Sequence, residues 1–189
     1  MRLYAISDLH LDFGPNLAAL RALRPRPDDW LLLAGDVGHS ERHLELCLEL
    51  LTQRFARVVW TPGNHDLWTT GPGEPRGEDK YRRLIELCRA RDVLTPEDPF
   101  ATVRVGQREV TVAPTMLLYD YSFRPAGIDV ATAIQLAAEA RCMCADELYL
   151  HPHPHRSVAA WCRQRVHDTE ARLAALPPDR PLVLLNHFP

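Results

Sequence analysis

Four short apolar runs in this chain end alike, and that repeat constrains the fold more than any other feature. Leu3–Ile6 is followed by Asp8 and His10, and Trp30–Ala34 by Gly35 and Asp36. The run ending at Val58–Trp60 is followed by Gly63, Asn64 and His65, and Leu182–Leu185 by Asn186 and His187. Runs this short, bounded by turn residues, read as strands. A single Asp after a strand is ordinarily a turn former or a helix cap. Four strand ends carrying Asp, His or Asn need another explanation, and in α/β sheets ligands bind beyond the carboxyl ends of the strands.

The segments between these runs supply the α of such a fold. After Ser40, an N-cap type, Leu44, Cys47, Leu48 and Leu51 recur at helical spacing, as do Tyr81, Leu84, Ile85 and Cys88. Asp129 is placed to cap a long Ala-rich helix towards Ala145. Ser157 is placed to cap another, with Val158, Trp161 and Cys162 inward, ending before Pro177-Pro178. Ala101–Val105 and Glu109–Ala113, separated by Gly106-Gln107-Arg108, read as a hairpin. The expectation is an α/β fold with parallel strands beside that hairpin. At 189 residues and 46% hydrophobic content, residues 1–189 suit a single domain. Thr69 to Glu78 is a Gly/Pro-rich connection, over the surface or over a site. Tyr119 to Gly127 mixes aromatics with Arg124 near a strand end. In His151-Pro-His-Pro-His155 the alternate prolines predict an extended chain with its histidines outward.

Composition removes several function classes. The net charge of −3, with no basic stripe, disfavours nucleic acid and anionic membrane surfaces as partners. The N-terminus meets Asp8 too early for a signal-peptide core, and no apolar run approaches membrane length, so the expected location is cytoplasmic. Five cysteines without C-x-x-C spacing read as reduced thiols.

The strand-end residues suit metal chemistry. Asp8 and His10, two apart in an extended segment, would project to one side with Leu9 turned into the core. Asn64 and His65 are adjacent and should diverge, one towards metal and the other towards substrate. Gly35 and Gly63 would let the backbone pass close to the ions. Oxygen and nitrogen donors without thiolate suit Mn²⁺, Fe or Zn²⁺. Asp36, with two carboxylate oxygens, is the natural bridge between two ions. Such a pair, roughly 3.5–4 Å apart, acidifies a water and offsets charge during in-line displacement at phosphorus. The implied reaction is hydrolysis of a phosphate ester.

The ordered set Asp8-x-His10, Gly35-Asp36, Gly63-Asn64-His65-Asp66 and Asn186-His187 resembles the calcineurin-like metallophosphoesterases. The resemblance implies their α/β sandwich, mixed sheets flanked by helices, and two divalent ions, Mn, Fe or Zn. Asp8, His10 and Asp36 would serve one ion, and Asp36, Asn64 and His187 the other. His65 would protonate the leaving group or steady the transition state, and Asp66 would orient it or cap a helix. The stretches "DDWLLLAGDV", "TPGNHDLWTT", "APTMLLYDYSF", "AWCRQRV" and "LLNHFP" look like a narrower actinobacterial branch. That branch implies phosphopantetheine on acyl or peptidyl carrier proteins as the substrate. The alternatives are a catalytically impaired metal-binding remnant and a nuclease of the same superfamily. Two departures qualify the likeness. Asp36 is followed by Val37-Gly38-His39-Ser40 instead of the Asp-Arg-Gly of the protein phosphatases, with His39 read as a loop-surface histidine ahead of the alternative that it touches the site. The Gly-His-x-His that completes both metal spheres in the superfamily is missing before Pro189, so the expectation is a C-terminally incomplete sandwich, the N-terminal two-thirds, with impaired catalysis.

Overall fold

Helices and strands alternate as the periodicity predicts, and the computed structural model describes residues 1–188. β1 (Leu3–Ile6), β2 (Arg26–Ala34) and β3 (Phe55–Thr61) form a parallel three-stranded sheet in the order β1-β2-β3. α1 (Gly14–Arg21) connects β1 to β2, and α2 (Glu41–Thr52) connects β2 to β3. α3 (Asn64–Leu67) and α4 (Gly77–Arg89) follow β3. β4 (Ala101–Val105) and β5 (Arg108–Pro114) form the expected antiparallel hairpin. After α5 (Val130–Glu139), α6 (Asp146–Tyr149) and α7 (Val158–Ala174), β6 (Leu182–Leu185) joins β5 in parallel, giving a second three-stranded sheet.

Alternation along the strands decides what each face buries. Leu31, Leu33, Val58 and Trp60 turn to the helical side, against Leu44, Leu48 and Leu51 of α2 and Tyr81, Leu84 and Ile85 of α4. Leu32 and Val59 turn the other way, onto Val103, Val112 and Leu185 of the second sheet. The first sheet is thus covered on both faces, which explains why its strands read as unbroken apolar runs. The two sheets are also tied by the Thr61 hydroxyl, which donates to the Thr115 carbonyl.

Local signals account for most element ends. The Ser40, Asp129 and Ser157 side chains accept from the N–H groups of His43, Thr132 and Ala160. The Ala-rich helix stops at Glu139 instead of reaching Ala145, because Arg141 adopts a left-handed backbone (φ 58°). α1 was not foreseen, since only Leu20 of its eight residues is buried and its periodicity is weak. The proline–histidine tract also departs from expectation. His155 turns inward, its ring stacked on Trp161 at 5.5 Å, and the Glu78 N–H ties the His153 carbonyl to α4.

Candidate metal centre

The site begins where the strands of the first sheet run out. Past β1 and β2 the pairing continues through the loops. Asp8 N–H donates to the Gly35 carbonyl (3.1 Å), His10 N–H to Asp36 (3.0 Å) and Leu11 N–H to Val37 (2.8 Å). Holding that pairing through a turn places Asp8 (φ 57°), His10 (φ 40°) and Asp36 (φ 53°) in left-handed backbone. Residues other than glycine adopt it rarely, and it persists only where surrounding structure enforces it. The expected extended Asp8-Leu9-His10 segment is therefore absent. Its consequence survives, because His10 Nε2 lies 3.8 Å from Asp8 Oδ1 and Leu9 is buried.

Gly35 and Gly63 serve approach of one loop to the other. A Cβ on Gly35 would lie 2.3 Å from Gly63 N, and one on Gly63 would lie 2.0 Å from Asp36 Oδ1. That contact brings Asp36 beneath α3, where Oδ1 accepts the His65 N–H at 2.9 Å.

Asp36 is 3% exposed, and its Oδ2 is ringed by three imidazole nitrogens. Nε2 of His187 lies at 3.5 Å, of His10 at 3.8 Å and of His65 at 3.9 Å. These distances are too long for hydrogen bonds, and between Asp36 and the His187 and His10 nitrogens they leave a gap that a cation coordinated by both sides would close. The remaining atoms are oriented to suit. His187 is bonded through Nδ1 to the Ala34 carbonyl at 2.7 Å, which leaves Nε2 as its free donor. Asn64 Nδ2 donates to Asp146 Oδ1 at 2.8 Å, leaving the amide oxygen as the ligand end. The donors present thus fit a divalent-metal site of nitrogen and oxygen ligands.

Two groups of donor atoms fall within 4.8 Å of one another, namely His10, Asp36 and His65, and Asp8, Asp36 and His187. Asp36 is common to both, as a bridge between two ions would be. The grouping differs from the expected partition, because Asp8 falls with His187, and beside His10 and Asp36 stands His65. What holds His65 there is its backbone, tied to the Asp36 carboxylate by the N–H bond above. Burial lowers the affinity of the His65 ring for a proton, with His10 and His39 adding to that effect against Asp36.

Of its two expected roles Asp66 takes that of a cap on α3, accepting the Gly63 N–H, and its carboxylate makes no hydrogen bond to the His65 ring. Its buried carboxylate accepts from the N–H groups of Asp36 and Gly63 (both 2.9 Å) and of Val37 (3.0 Å), so it clamps the two ligand loops together. Burial pushes its pKa up to about 7 against those three donors. The ring partner of His65 is instead His39, expected on the loop surface. His39 Nε2 lies 2.7 Å from His65 Nδ1, and both rings stack with Trp68. The two were missed as a pair because nothing local in the sequence links residues 39 and 65.

Asp146 was missed for the same reason. It is 5% exposed, and besides Asn64 it accepts from Trp68 Nε1 (2.6 Å) and the Tyr119 hydroxyl (3.0 Å). Burial, then the Asp146 charge, push the Tyr119 hydroxyl pKa well up, so Tyr119 stays a donor. The only sequence hint was the aromatic stretch from Tyr119.

The calcineurin-like phosphoesterase family model matches residues 1–189. The chain belongs to the calcineurin-like phosphoesterases. It is 43% identical, over 99% of its length, to the [acyl-carrier-protein] phosphodiesterase PptH of Mycobacterium tuberculosis, and spans 59% of that relative. The crystal structure of phosphopantetheinyl hydrolase PptH from the same organism superposes with a TM-score of 0.92 at 43% identity, covering 99% of this chain and 68% of the other. These matches establish the calcineurin-like fold of mixed sheets flanked by helices, and the family to which the strand-end motifs pointed. Among the described residues of this phosphoesterase no helix is long and apolar enough to cross a membrane.

Proposed function

We propose that this phosphoesterase chain contributes a two-cation site that hydrolyses a phosphate ester, with phosphopantetheine carried by an acyl or peptidyl carrier protein as its substrate. The observation that carries the reading is the buried Asp36 Oδ2 facing three imidazole nitrogens across 3.5–3.9 Å. Asp8, His10, Asp36, Asn64 and His187 would hold the ions, Mn, Fe or Zn by donor type. Bound there, two divalent cations supply an acidified water and neutralise phosphate charge as it develops. The chain's own residues do the rest. Asp66 holds the loops after β2 and β3 in register, so the ligands on both arrive preformed. Asp146 holds Asn64 and Trp68 together. His65, beside the Asp36 carboxylate, is placed to give its proton to the departing oxygen. The substrate assignment is supported by the 43% identity to PptH, whose name states a carrier-protein phosphodiesterase.

The test is metal stoichiometry on the 189-residue chain equilibrated with Mn²⁺, beside Asp36→Asn, followed by release of phosphopantetheine from a loaded carrier protein. Two ions in the wild type and loss of both in the variant, with chelator-sensitive release, are expected. One ion or none overturns the two-cation reading for this chain, and bound metal without release overturns the substrate.

A further inference from the structure

We infer that the cavity lined by Tyr119, between the segment that leaves β5 and helix α7, takes the pantetheine arm of the substrate, an inference that rests on the phosphopantetheine reading above. The chemistry sets where such an arm must go. One ester oxygen of the scissile phosphate belongs to a serine side chain, so the carrier protein lies against the metal centre. The other ester oxygen bears the arm, which must leave the centre in a different direction.

Tyr119 joins the cavity to both halves of the centre. Its hydroxyl donates to Asp146 Oδ2 at 3.0 Å, and Asp146 holds Asn64. Its ring lies 6.3 Å from that of Phe188, which is 5.6 Å from the ring of His187. The cavity that Tyr119 lines has a volume of about 520 Å³, and small-molecule sites ordinarily measure roughly 300–1,000 Å³. Leu117, Leu118, Phe123 and Val166 give it apolar walls, and Asp120 and Arg124 offset one another in charge. Pantetheine matches that lining, being uncharged and carrying a gem-dimethyl group, amides and a thiol. The cavity beside Asp8, between β1 and α1, has about 260 Å³ and falls below that range.

The walls are held in place. Leu118 (φ 62°) and Tyr121 (φ 63°) are left-handed, a backbone that residues other than glycine keep only where surrounding structure enforces it. Leu118 is buried, the Tyr121 hydroxyl donates to Glu147 Oε1 at 2.6 Å, and the Tyr121 carbonyl accepts from Arg124 Nη1 at 3.0 Å. The rings of Tyr119 and Tyr121 meet edge to face at 5.1 Å. A strained, tied segment beside the centre is thus a preformed wall for a ligand.

Two measurements test the assignment. The first needs neither metal nor a variant. Titrating the ¹⁵N-labelled chain with reduced pantetheine, which lacks the phosphate, should move the amide signals of residues 117–124 and of Cys162 and Val166 most. Shifts centred on Asp8 and Leu20, or none at all, overturn the inference. The second uses the Mn²⁺-loaded chain hydrolysing bis(p-nitrophenyl) phosphate, a diester without the arm, with 4′-phosphopantetheine or inorganic phosphate as competitor. Phosphopantetheine should inhibit at least about tenfold more tightly than phosphate, a difference of about 1.4 kcal/mol. Val166→Trp, which fills the cavity, should abolish that advantage while the diester is still hydrolysed, which also reports that the variant is folded. An advantage that survives in Val166→Trp, or is missing in the wild type, overturns the inference and leaves the phosphoesterase reading standing. A wild-type chain that hydrolyses no diester overturns the phosphoesterase reading instead, and the spectra then decide whether the cavity binds pantetheine.

Discussion

The two sheets of this molecule are built from similar numbers of strands and carry very different loads. The first is parallel, with Leu31, Leu33, Val58 and Trp60 on the helices and Leu32 and Val59 on the second sheet. The second buries Val103, Val112 and Leu185 on one face and leaves Leu182 and Leu184 of β6 about half exposed on the other. The strained loops that carry candidate ligands sit on the first, whereas Leu118 and Tyr121, also left-handed, follow β5 of the second without carrying one. Asp8, His10 and Asp36, all in left-handed backbone, follow its strands, whereas the second sheet contributes His187 alone from its strand ends. Each left-handed non-glycine residue costs on the order of 1–3 kcal/mol, which a sheet buried on both faces can absorb. Rigidity is where the geometry is demanded.

If the first sheet is the frame of the site, the largest effect should come from forcing its loops apart. Gly63→Ala places a methyl carbon 2.0 Å from Asp36 Oδ1, on a buried carboxylate fixed by the His65 N–H, and 2.6 Å from the backbone Asp36 N. We expect a loss above about 4 kcal/mol in chemical denaturation, together with loss of Mn²⁺ binding. Gly14→Ala, which meets no atom within 4 Å, should stay within about 0.5 kcal/mol. Similar losses in both variants would remove the contrast between these regions.

A smaller effect should follow from Asp146→Ala, which leaves Asn64 Nδ2, Trp68 Nε1 and the Tyr119 hydroxyl without their shared acceptor. Unsatisfied buried donors cost about 1–3 kcal/mol each, and water entering the space left by the side chain should recover part of that. We expect a loss of about 3 kcal/mol. Because Asn64 would also lose its orienting partner, Mn²⁺ affinity measured by calorimetry should fall about ten- to hundredfold. Unchanged affinity would mean that Asn64 is not a ligand.

These residues also show what the sequence displays and what it hides. β1, β4 and β6 coincide with their apolar runs, because short buried strands are contiguous in the chain. β2 begins earlier than Trp30, at Arg26, where a polar, proline-containing segment pairs only through Phe55 across a register shift. Asp8, His10, Asp36, His65 and His187 were legible because each directly follows a strand. His39 and Asp146 were not, since each acts through a partner 26 or 82 residues away that only folding supplies. Asp66 was legible as a helix cap, through the Gly63 N–H, but not as a clamp, because Asp36 and Val37 lie on another loop brought in by Gly35 and Gly63.

The smallest effect concerns how the second sheet, lacking a fully covered outer face, is held to the helices. Polar links from α7 supply part of that attachment. Arg165 Nη2 reaches Glu97 Oε1 at 2.6 Å, the Tyr81 hydroxyl donates to the same oxygen at 2.7 Å, and Arg172 bonds the carbonyls of Pro96 and Asp98 just before β4. Burial pushes the Glu97 carboxyl up, but Arg165, the Tyr81 hydroxyl and Arg172 outweigh it and hold the pKa below its ordinary value. A carboxyl whose folded pKa is depressed contributes stability that is fully present above its unfolded pKa and is lost as the pH falls through the folded one. Glu97 is partly exposed, so solvent screening limits the contribution to about 1 kcal/mol or less. Urea denaturation should therefore show Glu97→Gln less stable than the wild type at pH 7 by that amount, with the gap closing as the pH drops below the usual carboxylate range. A gap that persists at acid pH would mean that the substituted amide disturbs packing, and that apolar contacts alone attach the second sheet as they do the first.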